Sequence, residues 1–573
     1  MAFLKPKVIH GHTYWYIAES RRDGGKVKTA TLAYLGRAED LLRRLQEAPP
    51  SDRLKSFSHG GVAVLLSLAD RLGLVELIDR HIRPPRRSRP ERHLLSVGQT
   101  LVLAAVGRAL HPTSKRGWAG WAQGTTLGWL WRFEPEEITS PFFWDQMDRL
   151  PAEALASIQG ELGRRVLAEF GISADSLFYD VTNYYTFIDS QNRHCDLPQR
   201  GKNKQKRNDL RQFQVGMLVS RDGWIPLAAK VYRGNYNDVT TFPQGLAAIG
   251  RQCQELGLAP DAVTLVADKG NISRKNWQVL DESRFGCVVS LTPSQHKEWT
   301  CRPLEDFTTC EVPQVGSMRV LRGRAQIAGR ERTVVVLDSP TLRDGQQRGL
   351  QQQMQPVMTG LAHVQNLLKT AARRRRQEVI ERQVHTVLRR APGVGKLIRY
   401  ESIPREGRPG FWDFDWWLDA EAYAHLRDRE YGRRMLATNR DEWTTDEIIW
   451  AYWGQAEAEL VFRETKNPEF LALRPQYHWT DQKIEVHSFC CVVGYLLAAL
   501  VRRHARPMGY EQGLPALLGM LNGVRMVLRT QASGRPGRPR VHWQLEETQE
   551  DALRLYRSLV RAKYELGPTP SDA

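Results

Sequence analysis

The chain of 573 residues is several times longer than one hydrophobic core requires, which excludes a small single-core module and predicts several domains or one elaborated core. Its 41% hydrophobic content supports true cores, while 82 Lys+Arg against 64 Asp+Glu leave a formal charge of +18 that points to a polyanionic partner, nucleic acid ahead of an anionic membrane. Seven cysteines without a CxxC pair supply neither a disulfide framework nor a zinc ribbon, and MAFLKPKVIHGHTYWY has no apolar segment long enough for a signal peptide, so a reducing cytoplasm is expected.

The first segment alternates through HTYWYIAES, turns at RRDGGK and returns as VKTATLAYLG, which predicts a β-hairpin closed by Asp23, Gly24 and Gly25. Its exposed edge is free to pair with a partner or contact DNA. Residues 1–50 thus form a hairpin arm and a linker containing APPSD. Residues 51–165 read as a helical domain, from the dense apolar periodicity of VAVLLSLADRLGLVELIDRHI and QTLVLAAVGRAL, and the chain's basic balance makes DNA binding the expected role for it. Between those helices, the arginines and prolines of HIRPPRRSRPERH (His81 to His93) suit an extended arm.

From Ala174, within a segment taken as 166–284, the texture changes to strands. SLFYDVTNYYTF, FQVGMLVS and WIPLAAKVY, the last two flanking Arg221-Asp222-Gly223, are followed by a helical stretch at 241–257 and the short buried strand AVTLVADKG, giving an order β-β-β-α-β over 166–284. Residues 285–430 read as an inserted subdomain. There, strands and turns in SMRVLRGRAQIAGRERTVVVLDS precede long helical patterns through LAHVQNLLKTAARRRRQEVIERQVHTVLRR. RRMLATN supplies a further strand and opens the segment 431–505, and 506–573 reads as a helical and basic tail in which GRPGRPR (Gly534 to Arg540) is a flexible element. The apolar run Val486–Val501 is shorter than the roughly 20 residues that span a bilayer, so a buried core helix is expected.

Three glutamates stand within AYWGQAEAELVFRETK (residues 451–466). Thr444 and Glu447 have the spacing of a capping box and no proline intervenes before Pro468, so one helix is predicted. At about 100° per residue, Tyr452, Gln455, Glu459 and Lys466 share an arc of roughly 60°, and Glu457 and Glu464 project elsewhere. The plainer reading of such a face is solvated helix ion pairing. Asp180 sits in an aromatic strand and Asp268 at the end of another, and each alone reads equally as a turn former. Together with Glu459 they are three carboxylates that can converge at one sheet edge, where hard oxygen donors select Mg²⁺ or Mn²⁺ and suit in-line phosphoryl transfer by two metals. His478 and His487, one per segment, read as structural histidines rather than ligands.

These residues resemble a known family. The chain is similar to bacterial insertion-sequence transposases of the DDE class, in the group with the Tyr-Arg-Glu-Lys signature. Tyr452, Glu459 and Lys466 fall at its spacing, with Gln455 where arginine is usual. YDVTNYY around Asp180, ADKGN around Asp268, GWIPLAAKVYRGNYNDVTTF, and FRETK followed by RPQYHW also resemble the family pattern. The resemblance implies an α/β fold with a ribonuclease H-like mixed-sheet catalytic core interrupted by the inserted subdomain. It implies that Asp180, Asp268 and Glu459 hold two Mg²⁺ or Mn²⁺ ions and that Tyr452 and Lys466 contact phosphates of the transposon end. Helical spacing puts Arg463 on nearly the same face as Glu459, so Arg463 is expected to substitute in part for the arginine that Gln455 replaces. The expected partners are the transposon's terminal inverted repeats and target DNA, both double-stranded, handled by a homodimer without a membrane.

Further phosphate contacts are expected from Lys202, Lys204, Lys206 and Arg207 in QRGKNKQKRNDLRQ and from Arg373 to Arg376, although either run also reads as a solvated surface. FWDFDWWL reads first as core packing, with Trp412, Trp416 or Trp417 stacking on a flipped base as the sharper alternative. Two rival functions remain open: a catalytically silent, transposase-derived DNA-binding protein, and a ribonuclease H-like nuclease without strand transfer.

Overall fold

The computed structural model describes residues 2–23, 26–46, 53–84, 95–189, 191–201, 207–235, 238–267, 273–313, 315–471, 473, 477–531 and 540–565, with the backbone alone at 21–23, 26, 44–46, 238–242, 244, 267, 455–458, 531 and 540. Two compact units emerge, 1–64 with 120–135 and 519–573, and 65–119 with 136–518.

The first unit opens with a three-stranded antiparallel sheet, β1 (Ala2–Ile9), β2 (His12–Asp23) and β3 (Lys26–Arg37). The β2–β3 hairpin is the one the alternation predicts. Strand β1 is additional: its lysines and Pro6 hide the pattern, and it reaches β2 through a turn in which His10 and Gly11 take φ of 49° and 79°. The helix Ala38–Gln46 follows. A second small sheet joins distant chain, β4 (Arg53–Ser58) pairing antiparallel with β16 (Arg525–Gln531), which pairs with β17 (Arg540–Leu545). The C-terminal region therefore contains strands as well as helices, a difference from the helical and basic tail expected there. Residues 85–94, which include most of the proposed extended arm, and 532–539, which include most of GRPGRPR, lie outside the described residues.

The second unit is built on a nine-stranded mixed sheet ordered β10-β11-β12-β15-β9-β8-β5-β6-β7. Its strands are β5 (Ser176–Thr186), β6 (Arg211–Ser220), β7 (Pro226–Arg233), β8 (Thr264–Ala267), β9 (Gly286–Leu291), β10 (Thr308–Val312), β11 (Gly316–Ile327), β12 (Arg330–Asp338) and β15 (Arg433–Thr438). Strands β5, β6 and β7 form an antiparallel meander, the helix Asp238–Glu255 leads into β8, and β8 lies parallel to both β5 and β9. The expected order β-β-β-α-β is present, and the α/β architecture with one large mixed sheet is established.

The inserted part is shorter than predicted. β9 to β12 belong to the main sheet, because β12 pairs antiparallel with β15 from Thr333↔Thr438 to Asp338↔Arg433. The chain leaves that sheet at Ser339 and returns at Gly432, whose carbonyl accepts a hydrogen bond from the Ser339 N–H at 2.8 Å. Between them the helices Pro340–Lys369 and Gln377–Leu388 and the hairpin β13 (Ile398–Pro404) with β14 (Trp412–Leu418) enclose their own core around Leu350, Val357, Leu361, Ile380, Val384 and Phe414. The helical pattern predicted through the arginine run is interrupted: the first helix caps at Thr370, and Arg373–Arg376 form the connection. At the root of the insert, Asp338 is fully buried and ion-paired to Arg319 at 2.6 Å, to Arg433 at 3.0 Å and to Arg343.

The helix Asp481–Ala505 is the centre of this unit's core. Counted to Met508 it is long and apolar enough to cross a membrane, longer than the Val486–Val501 run, but its apolar window is almost wholly buried against protein. A Cβ at Gly494 would lie 2.6 Å from the carbonyl oxygen of Ala105, so only glycine lets the helix Val97–Leu110 cross this closely.

Candidate active site

The helix predicted for residues 445–466 is present as Thr445–Lys466, and Thr444 and Glu447 form the reciprocal capping box. It lies against β5. Alternate residues of a strand share a face, so Phe178, Asp180, Thr182 and Tyr184 project together. Three of them meet this helix. A Cβ added at Gly454 would come within 2.4 Å of Phe178 Cζ, Thr182 accepts a hydrogen bond from the Lys466 ammonium, and the Tyr184 hydroxyl lies 2.6 Å from Thr465 Oγ1. Asp180 therefore stands on the covered face between anchored neighbours, half-buried, its Oδ1 accepting from the Val181 N–H at 2.8 Å.

Glu459 lies on the helix between Gly454 and Thr465, and at roughly 100° per residue it is only about 20° around the axis from Lys466. It occupies the flank from which Lys466 reaches Thr182, and its side chain is exposed. Glu464 is different: it accepts from the Tyr495 hydroxyl at 2.8 Å and pairs with Arg502 at 3.5 Å. Burial raises its carboxyl above the ordinary range, against the opposing pull of Arg502. One glutamate of the motif helix is thus fixed by the core helix and another is presented to solvent; the side chain of Glu457 lies outside the described residues.

Asp268 lies outside the described residues, as do Lys202, Lys204 and Lys206 and the side chain of Gln455. Strand β8 ends at Ala267, directly before Asp268, and its Val266 pairs in parallel register with Phe178. Among the described residues no group of three His, Cys, Asp or Glu comes together as a metal site. The two described carboxylates, Asp180 and Glu459, supply the hard oxygen donors that Mg²⁺ or Mn²⁺ takes.

Of the expected DNA contacts, Arg463 is exposed on the helix, and Lys466 is half-buried with its ammonium 5.4 Å from the centre of the Tyr184 ring. Tyr452 is 7% exposed, with the Arg434 guanidinium 5.3 Å from its ring centre. Arg207 is exposed and ion-paired to Asp209 at 2.8 Å. Trp412 and Trp416 pack against the core of the insert, and the Trp412 indole donates to the Arg375 carbonyl at 3.0 Å, whereas Trp417 is 48% exposed. The alternation of β14 separates these roles: 412, 414, 416 and 418 face inward and 417 faces out.

Sequence reasoning gave no role to Thr182 and Tyr184 of YDVTNYY or to Thr465 of FRETK, whose side chains fix the helix on the strand, because only the packed structure shows what they meet. It also missed exposed aromatics beyond the end of β5. Phe187 and Tyr477 lie 5.8 Å apart and Trp479 lies 5.4 Å from His194. His478 is buried between Lys115, 2.6 Å away, and the stacked ring of His487 at 4.5 Å, an arrangement that packs both histidines in the core.

No curated protein matches the chain. Among solved structures, a similar chain is the piggyBac transposase in its synaptic complex with hairpin DNA, at 7% identity and a TM-score of 0.36 over 82% of each chain, a likeness too weak to carry an argument. Residues 5–56 match the model of the IS1634 family transposase, N-terminal domain, which covers most of the opening sheet and the helix after it. That match supports reading the chain as an insertion-sequence transposase.

Proposed function

We propose that the chain is a DDE transposase that cuts the ends of an insertion sequence and joins them to target DNA, with Asp180, Asp268 and Glu459 as its metal-holding acids. The observation that carries this reading is the contact just described: the strand face bearing Asp180 is the face that the Glu459 helix covers, fixed through Thr182–Lys466 and Tyr184–Thr465. Two features support it. The order β7-β6-β5-β8-β9, with β5, β8 and β9 parallel to one another, is the arrangement expected of a ribonuclease H-like core. The strand that leads directly to Asp268 is the one hydrogen-bonded beside Asp180's own.

Two bound divalent ions would supply a metal-activated water and charge relief at the leaving 3′ oxygen. The chain's own residues do the remaining work. A strand and a helix locked together by side-chain hydrogen bonds hold Asp180 and the Glu459 backbone in fixed relation. Arg463 and Lys466, one turn apart on the presented flank, are proposed phosphate contacts, and so are the basic residues Lys202, Lys204, Lys206 and Arg207. No covalent protein intermediate is required, so the freed 3′ hydroxyl serves as nucleophile for joining, and two ends require at least two protomers. This activity belongs at the bacterial nucleoid.

The test is cleavage of a plasmid carrying the element's own ends in the presence of Mg²⁺. Asp180→Asn, Asp268→Asn and Glu459→Gln are each expected to abolish nicking and joining while end binding persists. Substantial cleavage by any of the three would overturn the assignment of that acid.

A further inference from the structure

The two faces of the N-terminal sheet differ in chemistry. Cross-strand partners share a face, so the register β1–β2–β3 reads as rows: Lys7–Tyr14–Arg37, Lys5–Tyr16–Tyr34 and Phe3–Ala18–Thr31, followed by the β2–β3 pair Ser20–Thr29. The tyrosines form one patch, Tyr34 lying 6.1 Å from Tyr14 and 5.0 Å from Tyr16, with the Arg37 guanidinium 5.7 Å from the Tyr14 ring centre. Lys5, Lys7 and Arg37 are exposed, and Tyr34 is 57% exposed. The opposite face carries Leu4, Pro6, Val8, Trp15 and Ile17, with Glu19 and Lys28 toward the hairpin end. Asp40 on the following helix stands near Tyr34 and is itself paired to Arg43 at 2.8 Å.

The cations of the first face stand on its two outer strands and the tyrosines span the middle and one edge. Three strands measure about 10 Å across their outer backbones, and the major groove of duplex DNA is about 12 Å wide with phosphates along both rims. A sheet with cations at its margins and hydroxyl-bearing rings at its centre matches that groove in width and in charge. We infer that the Lys5, Lys7, Tyr14, Tyr16, Tyr34 and Arg37 face seats in the major groove of duplex DNA. The lysines and arginine take the phosphate rims, and the tyrosines meet the groove floor. This contact is separate from the acid site and does not depend on its assignment.

The experiment uses the full chain and a short mixed-sequence duplex, with affinity followed as salt is raised. Lys5→Gln with Lys7→Gln is expected to reduce the slope of log K against log salt by about 1.8, from about 0.9 per lost phosphate contact. Tyr34→Ala is expected to weaken duplex binding about tenfold. The wild-type chain is expected to shield guanine N7, which faces the major groove, from dimethyl sulfate, and the lysine pair to lose that shielding. Asp180→Asn should retain both the slope and the shielding, which separates this inference from the cleavage reading. An unchanged slope in the lysine pair, N7 shielding that persists in it, or an equal loss on a single strand of the same sequence would overturn the inference. The lysine pair decides the matter should Tyr34→Ala alter folding, since Lys5 and Lys7 are exposed and support no core.

Discussion

The nine-stranded sheet and the N-terminal sheet of this chain differ in what their side chains meet. In the nine-stranded sheet every residue of β9 and all but the first of β6 are buried, while in the N-terminal sheet every residue of β1 except the last is exposed. Apolar burial therefore pins the register of the large sheet, since a slip of one residue would turn its strands inside out. The small sheet is held instead by cross-strand contacts among its rings, and Lys5, Pro6 and Lys7 on its edge strand discourage pairing with other edges. One sheet is a buried core, and the other is an exposed surface.

Substitutions can break or sharpen that contrast. The largest effect is expected at Asp180 on the large sheet, where Asn should lower cleavage on the order of a thousandfold or more while circular dichroism remains unchanged. Next is Asp338, the buried carboxylate among three arginines: Asp338→Ala should cost about 3–5 kcal/mol in chemical denaturation, because it strands buried cations. A loss below 1 kcal/mol would show that the insert root is not held by charge. Gly454→Ala, which forces a methyl toward Phe178, should cost about 1–3 kcal/mol and also slow cleavage by lifting the Glu459 helix from β5. On the small sheet, by contrast, Lys7→Gln should move stability by no more than about 0.5 kcal/mol.

A pH dependence should arise within the large unit. Burial, aided by Arg108, pushes the Lys115 amine down to about 7 from its ordinary 10.5, and burial holds His478 and His487 well below 6.5. The unfolded chain therefore binds more protons than the folded one from about 7 to 10.5 through the lysine, and below 6.5 through the histidines. Stability from these groups rises with pH across both windows and is lost on acidification. The wild-type denaturation midpoint, taken relative to that of Lys115→Met, should rise with pH from about 7 to about 9, below the range in which buried Cys287 and Cys490, pushed up to about 12, act in the opposite sense. A difference between the two midpoints that fell with pH over that window would contradict the burial of the amine.

Much of this architecture is legible in the residues. The capping box at Thr444 and Glu447, the β2–β3 hairpin and the order from β5 to β8 each follow from local pattern. Long-range pairing does not. Nothing within SMRVLRGRAQIAGRERTVVVLDS shows that β12 pairs with β15, so the strands of the main sheet are easily assigned to the insert. The partners of β4 are equally remote in sequence. Helix periodicity separates Glu459 from Glu464, but only the packed core helix, with Tyr495 and Arg502, decides which is buried. The tryptophans of β14 likewise reveal their inward or outward direction once the core of the insert defines a side.

Asp338 and Arg433 stand opposite each other on adjacent antiparallel strands, and the peptide groups just beyond them are hydrogen-bonded. A tight turn could join β12 to β15 there without moving either strand. The whole intervening module thus hangs from what is geometrically a hairpin tip, a point at which a gene can lengthen, shorten or exchange an accessory without disturbing the register on which the acids depend.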